Sequence, residues 1–339
     1  MIRTHCIRLS LSLLLALANF TNSYAQSSFA DDPEVRAFTQ DLAHRHGFDP
    51  DLLLKDFARI RPNDKVLQLI KPPSSPLQRS WERYRPRFLN DRRIDGGARF
   101  WQSHQASLAR ASATYGVPEE IIVAIIGVET EYGRNTGGFN VLEALATLAF
   151  RYPPRAEFFR TELEQFLLLS RENSLNPLQT KGSFAGAIGI PQFMPGSQRR
   201  YAVDFDGDNR VDLSGSVDDA IGSVARFLEQ HGWQSGQPVA TPAQITGEVD
   251  GRWLEAGIRP SLRLNELQGI YSSASPDAKL ALIDLVSPGK ATEYWLGYEN
   301  FYVITRYNRS SFYAMSVFQL GEEIRKRYCR QASDKACER

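Results

Sequence analysis

The run IIVAIIGV, Ile121 to Val128, is the most hydrophobic helix-length stretch after the N-terminus, and an acid, Glu129, follows it directly. Residues 125, 126 and 129 share one helix face, because positions three and four apart are neighbours. Glu129 therefore sits beside Ile125 and Ile126, on or near a buried surface where desolvation raises a carboxyl pKa. A carboxyl that stays protonated near neutral pH is what a general acid needs to cleave a glycosidic bond. The competing reading is an acid at the exposed end of a buried helix, held in an ordinary salt bridge. Glu131 is the rival acid; it points to roughly the opposite side and is expected to be the more solvated. Gly133 is expected to end the helix.

Around this helix the chain reads as mainly helical. FTQDLAHRHGFDPDLLLKDFARI has apolar positions at helical spacing, broken at Gly47 and Pro50. KPPSSP at 71–76 is a linker, and Gly96-Gly97 mark a joint in the next helical stretch. A second helical block runs from about 140 to 171, and DDAIGSVARFLEQHGW is a further helix. From Pro238 to about 300 the segments PVATPAQI, SLRLNEL and TEYWLGY alternate like short strands. FYVITRYN then reads as strand or loop leading into an amphipathic helix. These shifts divide the chain into 26–115, an N-terminal helical region; 116–237, a core that carries Glu129; 238–300, a small β-containing insertion; and 301–339, a return to the core.

Residues 1–25 have a basic start, a short apolar run and Ser23-Tyr24-Ala25, the pattern of a cleaved secretory signal. Cys6 precedes the apolar run, so no lipid-attachment cysteine follows the signal, and a soluble exported protein without a transmembrane segment is expected. In an oxidising compartment Cys329 and Cys337 can close a small loop, free thiols being the alternative. A formal net charge of +1 supplies no field for nucleic acid or anionic membrane.

Two other segments bear on Glu129. SFAGAIGIPQFMPGS at 183–197 has small residues that let a backbone approach a ligand closely, an amide at Gln192 that donates and accepts, and a ring at Phe193 on which a sugar can stack. YNRSSFYA at 307–314 taken alone reads as a strand end and helix cap. Together with GVETEYG at 127–133, DFDGDNRVDL at 204–213, DAIGSVARFLEQHGW at 219–233 and WERYRPRFLNDRRIDGGARFW at 81–101, they resemble the lytic murein transglycosylase B family.

That resemblance implies a lysozyme-like helical core with an additional helical domain and a small β-containing insertion, an α+β fold with helix dominant. It implies cleavage of the β-1,4 bond between N-acetylmuramic acid and N-acetylglucosamine, leaving a 1,6-anhydromuramoyl end, with Glu129 as acid and then base. Most glycosidases use two carboxylates, and substrate-assisted enzymes are the exceptions. By resemblance, Ser183 and Gln192 hold Glu129 and the substrate, Asn308 and Tyr313 position the acid and the N-acetyl group, and Tyr132, Phe193 and Tyr307 are further sugar contacts. Alternatives are a hydrolytic muramidase using the same acid, and a non-catalytic calcium-stabilised wall-binding module. The expected partners are the glycan strands of peptidoglycan, with other cell-wall enzymes as candidates, for a monomer in the periplasm. Arg151 and Arg155 read as receivers of acidic stem peptides or as ordinary surface charges.

Asp204, Asp206 and Asp208 stand at alternate positions, the opening of an EF-hand loop, with Arg210 offering its carbonyl. Asn209 stands where the turn glycine is usual, and Gly215 where the closing Glu is usual. The resemblance places a later Asp in the closing role: Asp219, with Asp218 as competitor. A structural calcium is expected, sodium or a metal-free acidic turn being the alternatives, and no cofactor for catalysis.

Overall fold

A computed structural model describes residues 28–72, 79–332 and 337. The expected signal, residues 1–25, with Cys6, lies outside the described residues, as does most of the 71–76 linker. Fourteen α-helices are present among the described residues, together with one five-stranded and one two-stranded antiparallel sheet.

Polar caps start many of the helices. Asp32 accepts from Glu34 N ahead of Pro33–His46, and Asp49 accepts from Asp51 N and Leu52 N ahead of Pro50–Phe57. Asn140 and Ser216 do the same for Val141–Arg151 and Val217–Gln230. Each cap satisfies donors that the first helical turn leaves unpaired.

The apolar side chains gather into three groups that do not follow chain order. One surrounds Glu119–Thr130, where Ile122 through Ile126 are fully covered; Asp91–Ser103, Gln105–Tyr115, Val217–Gln230 and the long Ser311–Ala332 helix pack on it. A second joins the N-terminal helices to Val141–Arg151 and Ala156–Glu172. The third lies within the sheet region. No described helix is long and apolar enough by itself to cross a membrane.

Gly96 and Gly97 are not a joint. They lie inside the continuous Asp91–Ser103 helix, and a Cβ on Gly97 would stand 2.6 Å from Ile324. They let two helices and the Tyr132 ring approach closely. FYVIT is not a strand either: Glu299–Ile304 is a short helix. Buried Asn300 holds it in place, its amide donating to Gln234 O at 2.9 Å and Gln237 O at 2.8 Å.

The sheet order is Leu262–Arg263, Lys279–Leu285, Glu293–Gly297, Ala240–Ile245, Ile270–Tyr271. The three segments expected to be strands contribute one each. Lys279–Leu285 was not singled out from the sequence. Its residues alternate between two cores, Ala281, Ile283 and Leu285 joining the main group and Leu280 and Leu282 the sheet group. A strand covered on both faces loses the apolar-polar alternation by which strands are read. Cys329 and Cys337 form a disulfide, with Cα atoms 5.6 Å apart.

Candidate active site

Glu129 stands in the last turn of the Glu119–Thr130 helix, partly exposed while Val128 and Thr130 on either side are buried. The helix ends at Thr130, not at Gly133. Glu131, Tyr132 and Gly133 then take φ of 53°, 64° and 82°, three left-handed residues in succession. Left-handed backbone is unfavourable for residues with a Cβ, so other contacts hold this turn. The Thr130 hydroxyl donates to Ile190 O at 2.7 Å and accepts from Gly133 N at 2.9 Å. The Tyr132 hydroxyl donates to Arg93 O at 2.7 Å.

Glu131 is the less solvated acid, contrary to expectation. It is 5% exposed and ion-paired to Arg92, with Arg134 at 3.7 Å. The left-handed cap turns its side chain back over the Asp91–Ser103 helix, a direction that a regular helical projection does not give. Glu129, by contrast, has no ion-pair partner among the described residues; the Tyr313 hydroxyl donates to its Oε1 at 2.6 Å. Burial pushes its pKa up to about 7, and the Tyr313 hydrogen bond opposes the rise. Burial also pushes Tyr313 and Tyr307 well above the usual phenol range, with the nearby Glu129 charge adding to it.

The 183–194 segment forms the neighbouring wall. Ser183 Oγ accepts from Ala187 N at 3.0 Å and Ala185 N at 3.3 Å, so it shapes its own loop. Gln192, itself left-handed with φ 52°, donates from Nε2 to Thr136 O at 3.0 Å and Gly189 O at 2.9 Å. Neither side chain hydrogen-bonds to Glu129. Phe193 offers no ring face to a sugar: it is 2% exposed, packed against Phe227 and Tyr307. Tyr132 is likewise a spacer between helices, lodged against Gly96 and Gly127. Tyr307 donates to Pro191 O and lies parallel to Tyr313, ring centres 6.4 Å apart. Asn308 is exposed at the head of the Ser311–Ala332 helix.

Sequence reading missed Tyr84. Its hydroxyl is pushed up by burial first and by the Glu129 charge second, which places it near the acid. It packs against Trp81, Phe88 and Phe312. Its block, 81–101, was among the matching motifs, but nothing local ties residue 84 to residue 129.

Behind the wall lies the acidic loop. Ile190 N donates to Leu213 O at 2.7 Å, so the backbone runs by hydrogen bonds from Thr130 through Ile190 to the loop. Carboxylate oxygens of Asp204, Asp206 and Asp219 all lie within 4.8 Å of one another. Asp219 is buried and accepts from Phe205 N at 2.7 Å, Asp206 N at 3.3 Å and Asp212 N at 2.8 Å. Asp218 turns away to accept from Ser107 at 2.7 Å. Asp208 stands outside the trio and accepts from Arg210 N, and Asn209 is left-handed at φ 67°. Three clustered carboxylates are a donor set suited to a hard cation.

The Transglycosylase SLT domain family matches residues 30–322. Membrane-bound lytic murein transglycosylase B of Escherichia coli is 43% identical over 310 residues, 87% of this chain and 84% of that protein. The soluble lytic transglycosylase SltB1 of Pseudomonas aeruginosa is 46% identical, with a TM-score of 0.81 over 89% of this chain and all of that one. An Escherichia coli lytic transglycosylase in complex with calcium is 39% identical, with a TM-score of 0.80 over 90% of this chain and 98% of that one. Sequence and backbone agree over nearly the same span, and the chain belongs to the lytic transglycosylase family.

Proposed function

We propose that this chain cleaves the β-1,4 bond between N-acetylmuramic acid and N-acetylglucosamine in peptidoglycan, leaving a 1,6-anhydromuramoyl end, with Glu129 as its acid and base. One observation carries the reading: a carboxyl without a cationic partner, raised by burial to about 7 and anchored by Tyr313. Near neutral pH a large share of that carboxyl keeps its proton and donates it to the bridging oxygen as the C1–O bond breaks. The carboxylate then accepts the proton of the muramoyl 6-hydroxyl as that oxygen bonds to C1. The proton lost in the first half returns in the second, and no water is consumed.

A single protein acid suffices where the substrate's N-acetyl group stabilises the positive C1 centre. Tyr313 holds the carboxyl at one oxygen, leaving the other for the substrate. Ser183 and Gln192 act at one remove in this scheme, keeping the loop beside the acid in shape, while Tyr84 and Asn308 border the sugar. The three-carboxylate loop would hold calcium through Asp204, Asp206 and Asp219, with Asp208 and the Arg210 carbonyl completing the shell. Bound there, the ion would neutralise clustered charge and stiffen the loop supporting Ile190. The basic and apolar N-terminus supports export to the periplasm, where the substrate lies.

Digestion of purified sacculi followed by mass spectrometry tests the reaction. Released muropeptides should lack one water relative to hydrolysed ends. Fully hydrated reducing ends would make the chain a muramidase instead.

A further inference from the structure

A cavity of about 510 Å³ opens between the Ala156–Glu172, Pro195–Tyr201 and Val217–Gln230 helices. Its volume falls within the range of pockets that hold small ligands. Arg199, on its wall, is engaged by Glu172 at 2.7 Å and by Gln165. Arg200 and Arg306 also line it; neither is in an ion pair among the described residues, though the Arg200 charge acts on Glu162 and Arg306 donates to the Tyr302 hydroxyl at 3.5 Å. His231 adds no charge near neutral pH, since burial lowers its pKa. The cavity therefore presents two guanidinium groups that are held in no ion pair and keep free donors, the side chain best shaped to take a carboxylate through paired hydrogen bonds.

Its neutral groups have spare capacity of a kind that matches a peptide. Gln165 Oε1 accepts from Arg199, which leaves its NH2 group to donate. Glu162 Oε2 accepts from Gly196 N at 2.8 Å, which leaves Oε1 to accept. Arg151, a candidate from sequence for receiving acidic peptide groups, is already paired to Asp32 at 2.6 Å.

We propose that this cavity binds a short acidic peptide, its carboxylate held between Arg200 and Arg306, with Gln165 donating to a peptide carbonyl and Glu162 accepting from a peptide N–H. Identifying that peptide as an acidic stem of peptidoglycan rests on the function proposed above. Arg306 directly precedes Tyr307, and Pro195–Tyr201 directly follows the Gln192 segment, so the cavity lies behind both segments that flank Glu129. The Phe227 ring separates the two sites, 4.9 Å from Tyr307 and 5.1 Å from Tyr201 between ring centres.

Calorimetric titration of the Glu129→Gln protein with acetyl-Ala-Glu-Ala, free at its C-terminus, tests this without turnover. Binding should be measurable, and at least tenfold weaker for the uncharged acetyl-Ala-Gln-Ala amide. The Arg200→Gln/Arg306→Gln pair should weaken the acidic peptide at least tenfold. Arg200→Gln alone, at an exposed position, should weaken it about fivefold, and it decides the matter if the double variant does not fold. Equal binding of the neutral peptide, unchanged affinity in the variants, no binding, or full displacement by equimolar inorganic phosphate would each overturn the proposal. Failure here with normal sacculus digestion removes the peptide site alone; failure of digestion with intact peptide binding removes the enzymatic reading alone.

Discussion

The turn at Glu129 and the loop from Asp204 to Asp219 each set one carboxyl, Glu129 or Asp219, against the core, and they surround it with different groups. At Glu129, burial acts almost alone: one hydroxyl, Tyr313, offsets it, and the pKa rises to about 7. At Asp219, burial also pushes the pKa up, but three backbone N–H groups and no cationic side chain oppose it. At exposed Asp206 the Ser216 hydrogen bond comes first and the pKa falls below the usual carboxylate range. A lone carboxyl in apolar surroundings becomes a reversible proton carrier. Carboxyls gathered on one loop, with backbone donors around them, form an oxygen donor set that suits a hard cation.

The comparison breaks first at Glu129 itself. Glu129→Gln keeps the shape of the side chain and removes its proton transfer, so the release of soluble muropeptides should fall by about a thousandfold or more. Residual activity within tenfold of the parent, measured by chromatography of sacculus digests, would mean another group does the chemistry.

Stability sharpens the same contrast. Glu129 ionises near 4.5 when unfolded and near 7 when folded, so folding favours its neutral form. Its contribution to stability is fully present below about pH 4.5 and is lost as pH rises through 7, an amount of about 3 kcal/mol. Glu129→Gln should therefore match the parent in denaturant titrations at pH 4 and exceed it above pH 7. Asp219→Ala should act the other way, leaving three backbone donors unpaired and costing about 3 kcal/mol at neutral pH. If calcium binds the loop, a chelator should lower the melting temperature of the parent and leave that variant unchanged.

Smaller effects test the supports. Tyr313→Phe removes the hydrogen bond that favours the charged carboxyl, so the alkaline limb of the pH–rate profile should move to higher pH, with activity down about tenfold. An unmoved limb would separate Tyr313 from the acid. Thr130→Val loses the bond to Ile190 O and the acceptor for Gly133 N, and should cost about 1–2 kcal/mol in thermal melts.

Much of the fold was legible because the relevant patterns are local. The apolar run at 121–128 and the break at Gly47 and Pro50 act within one or two turns. The strand Lys279–Leu285 was not legible because it serves two cores and shows no alternation. FYVIT carries β-favouring residues, yet Asn300 just before it accepts from Gln234 N and donates to Gln234 O and Gln237 O of a distant loop, and the segment is helical. Phe193 illustrates the same limit at the site: an aromatic ring in a sugar-site motif reads alike whether it faces solvent or a neighbouring ring.

Sequence alone determined that an acid would follow a buried helix, that acids would alternate through 204–208, and which family the motifs resemble, since these depend on order and spacing. Tertiary structure decided which acid is isolated and which is paired. Glu129 and Glu131 are two residues apart, and an uninterrupted helix would have exposed the second. The left-handed turn instead carries Glu131 to Arg92 and leaves Glu129 beside Tyr313, 184 positions away in the chain. Solvation and charge pairing depend on neighbours in space, and only the folded chain supplies them.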